Sequence, residues 1–143
     1  YLLVIFVLDT DVIVAAVRSP NGASRKLLNW LLDDSITVVA SVPLVLEYEA
    51  VLTRADHLYA SGLSAQDMAV LLDTVVSKMK PIEVHYLWRP MLQDIYDEMV
   101  LETAINGYAS SIVTFNEKHF AAPATKFGIE VLTPGSALKR IVL

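Results

Sequence analysis

The chain predicts an α/β fold, with a central parallel sheet covered by helices on both faces. Three observations carry this. Leu2 to Leu8 is a continuous apolar run that ends on Asp9, Thr10 and Asp11 and passes into the helix-like Val12 to Val17, the pattern of a strand buried on both faces. Strand-like and helix-like segments then alternate to the C-terminus, as parallel strands joined by crossover helices require. Finally, 143 residues with 55% hydrophobic content supply one full core and not two, so residues 1–143 are expected to form a single domain.

The elements follow in order. After the first strand, Asn21 and Gly22 make a turn, and Ser24 to Leu32 carries Leu27, Leu28, Leu31 and Leu32 at helical spacing. Ile36 to Ala40 is a second strand. Ser41 and Pro43 open a helix, with proline at a permitted early position, whose Leu46, Ala50 and Val51 are expected to face inward. Ser64 starts another helix, with Asp67 as a carboxylate variant of the capping box ahead of Met68, Leu71, Leu72, Val75 and Val76. Pro81 to Val84 reads as a short strand, Asp94 to Ile105 as a helix, Ser111 to Thr114 and Ile129 to Leu132 as strands, and a last helix follows Pro134. No repeat or low-complexity tract interrupts this order.

Composition narrows the chemistry. Without cysteine there is neither a disulfide framework nor a thiolate zinc site. The first apolar run has no basic segment before it and stops after about eight residues, against roughly 18 for a membrane span, so a cytoplasmic protein without membrane contact is expected. Sixteen acids against eleven bases give a net charge of −5, which argues against nucleic-acid binding by bulk electrostatics. A local basic rim is compatible with that charge. Arg18, Arg25, Lys26, Arg54 and Lys118 with His119 are its candidates, and the alternative for each is an ordinary solvated surface charge.

In open parallel sheets ligands bind beyond the carboxyl ends of the strands, and four polar residues fall there. Asp9 ends the first strand, Glu47 and Asp97 lie in the first turns of helices, and Asn116 follows the fourth long strand. Three carboxylates converging at one edge repel one another and raise each other's pKa unless a cation holds them. Oxygen-only ligation of this kind suits Mg²⁺ or Mn²⁺, which can activate water against a phosphodiester. Asp11 is a further possible ligand, and the plainer role of one of Asp9 and Asp11 is to cap the next helix. Glu98 is a possible alternative to Asp97, since one residue of helix register exchanges them. Thr10 and Thr114 can orient carboxylates or water through their hydroxyls. Asp94 and Glu102 read as helix-start and surface charges, Glu49 as solvated, and His57 and His85 as ordinary imidazoles without a metal-ligand partner. Tyr48, Tyr108 and Phe115 can stack on bases or belong to the core.

In sequence, Val7-Leu8-Asp9-Thr10-Asp11-Val12-Ile13-Val14, Ser19-Pro20-Asn21-Gly22, Leu46-Glu47-Tyr48-Glu49-Ala50-Val51-Leu52, Asp94 to Glu102, Ile112-Val113-Thr114-Phe115-Asn116 with His119-Phe120, and Thr133-Pro134 together resemble the PIN domain family, above all its VapC-like toxins. The resemblance covers almost the whole chain. It implies a three-layer α/β/α sandwich with a mostly parallel sheet, a metal-dependent endoribonuclease acting on single-stranded or loop RNA, frequent homodimers and inhibition by a small antitoxin protein. It also implies Asp9, Glu47 and Asp97 as the Mg²⁺ or Mn²⁺ ligands, with Asn116 and Thr114 completing the catalytic set. The chain departs from the family pattern in three places. Asn116 and His119 stand where members often carry Asp, and Asp11 where Asn is common.

Two other readings start from the same residues. Asp9-Thr10-Asp11 followed by Ile13 also resembles the haloacid dehalogenase type phosphatases, whose first Asp is a nucleophile and second a general acid, with Thr114 and Lys126 in their later motifs. The second acidic pair of that family is missing, Glu130 standing alone, and Glu47 has no role there. The neutral Asn116 instead admits a catalytically weak PIN-like binding module.

Overall fold

A computed structural model describes residues 4–85, 92 and 94–142. The elements are β1 (Ile5–Leu8), α1 (Thr10–Arg18), α2 (Ala23–Leu32), β2 (Thr37–Ala40), α3 (Val42–Leu52), α4 (Ala55–Ser61), α5 (Ala65–Ser77), β3 (Lys80–Pro81), α6 (Ile95–Asn106), β4 (Ser111–Val113), α7 (Glu117–Lys126), β5 (Glu130–Leu132) and α8 (Pro134–Val142). The described strands form one five-stranded parallel sheet in the order β3-β2-β1-β4-β5. The fold is the expected α/β/α arrangement. Helix α6 lies against β1, β2 and β4 with α7 beside it, while α1 packs on α2 and α3, and α2 on α5 and α8.

This strand order creates the site. The chain moves outward from β1 through β2 to β3, then returns to the far side of β1 as β4. The chain therefore runs on from β1 toward β2 and from β4 toward β5, in opposite directions, and the crevice between the carboxyl ends of β1 and β4 is open to a ligand. The register pairs Leu8 with Val113, so Asp9 and Thr114 emerge side by side. The Asp9 N–H donates to Val113 O at 2.9 Å, and the Thr114 N–H to Leu132 O at 2.9 Å.

The core is the apolar strand set, Phe6, Val7, Leu8, Val38, Val39, Ile112 and Val113, with the inner faces of the helices. In α3 the buried stripe is Leu44, Tyr48, Val51 and Leu52. Leu46 and Ala50, expected inside, are exposed. The segment is apolar on most sides, so its phase is set by Tyr48, which fills the core and donates its hydroxyl to Leu8 O at 2.5 Å. Ser64 Oγ accepts from the Asp67 N–H at 3.0 Å, as the capping pattern anticipates. Gly107 ends α6 against β2, where a Cβ would stand 2.9 Å from Val39 Cγ2 and from Thr103 O, so no larger residue fits. Helices α4 and α7 had no clear periodicity in the sequence. The short strand expected at Pro81 to Val84 is confined to Lys80–Pro81, and the remaining strands are trimmed at their ends. Residues 2 and 3 of the first apolar run lie outside the described residues.

Candidate active site

Asp9 is the centre of the site. It is the N-cap of α1, a role the sequence left open between Asp9 and Asp11, and its two oxygens are both engaged. Oδ1 accepts from the Thr10 N–H at 2.8 Å and Oδ2 from the Thr114 hydroxyl at 2.7 Å. The carboxyl is buried. Burial first, then Asp11 and Asp97, push it from its usual 3.8 up to about 7, against the opposing pull of the Thr114 and Thr10 hydrogen bonds.

Asp11 sits one helical step further and closes the strand-four loop. Its Oδ2 accepts from the Phe115 N–H at 3.2 Å and from Asn116 Nδ2 at 3.0 Å. The Thr114 hydroxyl oxygen in turn accepts from the Asn116 N–H at 3.0 Å. Asp9, Thr114, Asn116 and Asp11 are thus linked in that order by a chain of hydrogen bonds that spans 105 residues of sequence separation. Asp11 Oδ1 is buried with no hydrogen-bond partner. Burial raises the Asp11 carboxyl above its usual range; the Phe115 and Val12 N–H groups oppose it, as more weakly does His119, and Asp97 adds to it.

Asp97 enters from the first turn of α6, whose N-cap Asp94 accepts from the Tyr96 N–H at 2.8 Å. Its Oδ2 lies 3.0 Å from His119 Nδ1. Burial, then Asp94, raise its carboxyl, and His119 lowers it. The helix register separates the two neighbouring acids. Glu98 is buried and accepts from the Leu92 N–H at 2.7 Å, whereas Asp97 meets His119. Glu102, expected on the surface, is buried too. Glu47 is half-buried, with its carboxyl raised by burial and by Asp94 and lowered by Arg54. The acids therefore form a chain of neighbours, Glu47 to Asp94 to Asp97 to Asp9 and Asp11, rather than one tight knot.

Donor chemistry and spacing give different answers about an ion. Hard carboxylate oxygens, a carboxyl raised to about 7 by burial and then by neighbouring like charge, and the orphaned Asp11 Oδ1 fit a divalent cation. Among the described residues, however, no three Asp, Glu or His side chains stand close enough, as placed, to hold one ion together. Ion binding therefore entails movement of side chains, and His119, half-exposed while Asp97 is mostly buried, is the part of that pair with room to move.

A cleft of about 790 Å³ opens beside these acids, lined by Asp94, Ile95, Asp97, Lys118, His119 and Pro123 among others. Lys118 is the basic candidate that borders it. Arg25 is not a rim residue, since its guanidinium donates to Ala16 O and Val17 O and closes the C-terminal end of α1. Arg18 lies 3.5 Å from His57 Nδ1. Of the aromatic candidates, Tyr48 is core, whereas Phe115 and Tyr108 are exposed, and of these two Phe115 adjoins the acids. In the sequence His119 stands only as a basic-rim candidate beside Lys118 and as a departure from a family pattern. Its pairing with Asp97 depends on α7, which begins right after Asn116.

The comparisons agree with this fold. The PIN domain profile matches residues 6–118, which hold Asp9, Asp11, Glu47, Asp97, Thr114 and Asn116. In fold the chain is similar to a chain of the crystal structure of VapBC2 from Rickettsia felis bound to a DNA fragment from their promoter, with a TM-score of 0.63 and 17% identity over 90% of this chain and 98% of that one. It is also similar to a chain of the structure of FitAB bound to IR36 DNA fragment, with a TM-score of 0.59 and 18% identity over 90% and 94%. No curated protein matches in sequence.

Proposed function

Because the chain belongs to the PIN domain family, we propose that it is a Mg²⁺- or Mn²⁺-dependent endoribonuclease that cuts single-stranded or loop RNA, and that it acts as the toxin of a toxin–antitoxin pair. The observation that carries the reading is Asp9, a buried carboxyl at the β1–β4 crevice whose pKa is driven to about 7 by burial and by Asp11 and Asp97. Such a group is stable as a carboxylate only next to positive charge. Family membership also decides between the two resemblances in the sequence, and leaves the phosphatase scheme without support.

In this reading Asp9, Glu47 and Asp97 hold the ion, with Asp11 as a further ligand. A bound divalent ion supplies an activated water and charge neutralisation on the phosphate. The chain's own residues do the rest. Thr114 fixes the Asp9 carboxylate through Oδ2, and the Thr10 N–H fixes Oδ1, so Asp9 is oriented before any ligand arrives. Asn116 holds Asp11 and, as a neutral amide, adds no charge, which favours one well-held ion over two. Lys118 borders the cleft and is suited to a phosphate of the strand running through it. The acidic net charge confines RNA contact to that local rim.

The similar folds come from structures of VapBC2 and FitAB bound to DNA fragments, which supports an antitoxin partner here. An apolar groove of about 220 Å³ lined by Ala40, Val45, Val76, Met79 and Ile82, with exposed Val42 and Leu46 on its wall, supports a protein partner, with the antitoxin and a second copy of the chain as the expected occupants. No described helix is long and apolar enough to cross a membrane, consistent with action on cytoplasmic RNA.

The test is cleavage of end-labelled RNA, one unstructured oligonucleotide and one hairpin, by the purified protein with Mn²⁺, with excess EDTA, and with Asp9→Ala, Glu47→Ala or Asp97→Ala. Cleavage that needs the ion and each acid, in variants with unchanged circular dichroism, supports the reading. Full activity in EDTA overturns it.

A further inference from the structure

We propose that Phe115 is the platform on which one base of the RNA stacks beside the acidic centre, and that this contact helps to choose the phosphodiester that is cut; the inference rests on the ribonuclease reading above. It starts from how the turn after β4 is fastened. Thr114 donates its hydroxyl to Asp9 Oδ2 at 2.7 Å, and the Phe115 N–H donates to Asp11 Oδ2 at 3.2 Å. The Asn116 N–H donates to Thr114 Oγ1 at 3.0 Å, and its side-chain amide to Asp11 Oδ2 at 3.0 Å. The backbone around residue 115 is therefore held on both sides by the hydrogen bonds of the acids. Its side chain is not part of the core, since Phe115 is 53% exposed whereas Thr114 before it is fully buried.

An aromatic ring carried by a fixed backbone loses little conformational freedom when a ligand covers it, which suits it to stacking. A base is joined to its phosphate through one sugar, and Phe115 is joined to Asp11 through one hydrogen bond, so ring and acids are spaced on the scale of a single nucleotide. Ile95 and Tyr96, also exposed, stand on the first turn of α6 next to Asp97 and extend the apolar rim of the acids.

Charge decides which force can hold the RNA there. The chain is acidic, at −5, and the site itself gathers carboxylates, so a phosphate backbone is repelled except beside the ion and beside nearby cations. Of the basic candidates, Arg25 is occupied with Ala16 O and Val17 O, while Lys118 borders the cleft. With little positive charge at the site, stacking is the term left to supply affinity. It acts on the unstacked bases of single-stranded RNA and not on a duplex, and it favours purines, whose larger π face overlaps the ring more fully.

The experiment follows cleavage by the full chain with Mn²⁺ of an unstructured RNA oligonucleotide cut at one position, and of copies in which single bases around that position are removed to leave the bare ribose. Wild type is expected to lose about tenfold or more in kcat/KM at one abasic position. Phe115→Ala should lose a similar factor on the intact RNA and be indifferent to that abasic position, because ring and base form one contact. The loss should be equal at low and high salt, since stacking is not screened. Phe115→Trp should restore cleavage, and Phe115→Leu, apolar but without a flat π face, should not. The side chain is exposed, so these variants should fold, and Tyr59→Ala, which removes a ring 91% exposed on α4, should cut as wild type does. Unchanged cleavage by Phe115→Ala, full rescue by Phe115→Leu, or a Phe115→Ala loss that persists undiminished at every abasic position overturns the platform. Each of these leaves the ribonuclease reading standing, with a protein partner as the ring's remaining occupant. No RNA cleavage by wild type removes both.

Discussion

Replacing Asp9 by Asn should stabilise the metal-free protein at alkaline pH, although Asp9 lies at the heart of the site. The acid is buried and its pKa rises from 3.8 to about 7 on folding. The folded state therefore holds a proton that the unfolded state has lost between those values, and stability falls as pH rises through that window. At 1.36 kcal/mol per pKa unit, the difference of 3.2 between 7 and 3.8 amounts to about 4 kcal/mol once pH exceeds 7. Asn removes this term at little other cost. Its Oδ1 can still accept from the Thr10 N–H, and its amide can donate to the Thr114 hydroxyl oxygen, so lost hydrogen bonding should cost no more than about 1 kcal/mol. Urea unfolding in EDTA, from pH 4 to pH 9, measures the result. The variant should match wild type near pH 4 and exceed it by about 3 kcal/mol at pH 8, or roughly 10 °C in melting temperature. Saturating Mn²⁺ should close the gap by stabilising wild type alone. A variant that is less stable than wild type at pH 8, or a wild type whose stability climbs from pH 5 to pH 8 in EDTA, would refute the buried-charge reasoning.

Other substitutions probe the supports of the site. Tyr48→Phe strips Leu8 O of its 2.5 Å donor inside the core, and should cost about 1–3 kcal/mol in thermal or urea unfolding. Its cleavage rate should fall as well, because Leu8 leads directly into Asp9. Asp11→Asn keeps an acceptor for the Phe115 N–H, so RNA cleavage should stay within about tenfold, near 1.4 kcal/mol of barrier, as a single-turnover assay would read. Asn116→Asp sets a second carboxylate at the 3.0 Å position facing Asp11, and should lower stability in EDTA by about 1–2 kcal/mol while increasing the stabilisation gained from Mn²⁺ in a thermal-shift titration.

The parts of the site legible in the sequence were those that follow from a strand end or a helix start. Asp9 stands out because a buried apolar strand ends on it, and Asp97 because it lies in the first turn of a helix whose cap, Asp94, can be read. The rest depends on contacts between distant segments or on helix phase. Nothing local indicates that Thr114 bonds to Asp9 across 105 residues, although both were placed at strand ends. Helix α7 escaped notice because it holds Pro123 and follows the fourth strand without an apolar stripe, and the Asp97–His119 pair escaped with it. In α3 the apolar run from Val42 to Leu46 has no polar side to fix its phase, so Leu46 was read as core while Tyr48 filled it. Glu102 was read as a surface charge because acids on helices usually are, whereas α6 is buried along most of its circumference.

The central claim, that the acids around Asp9 form an ion-dependent ribonuclease centre, is tested most directly by measuring initial RNA cleavage rate and Mn²⁺ occupancy in one titration of the purified chain. Rate and occupancy should rise together with the same half-saturation, and Asp9→Ala should show neither while remaining folded. Cleavage that is independent of Mn²⁺, or that persists undiminished in Asp9→Ala, would contradict it.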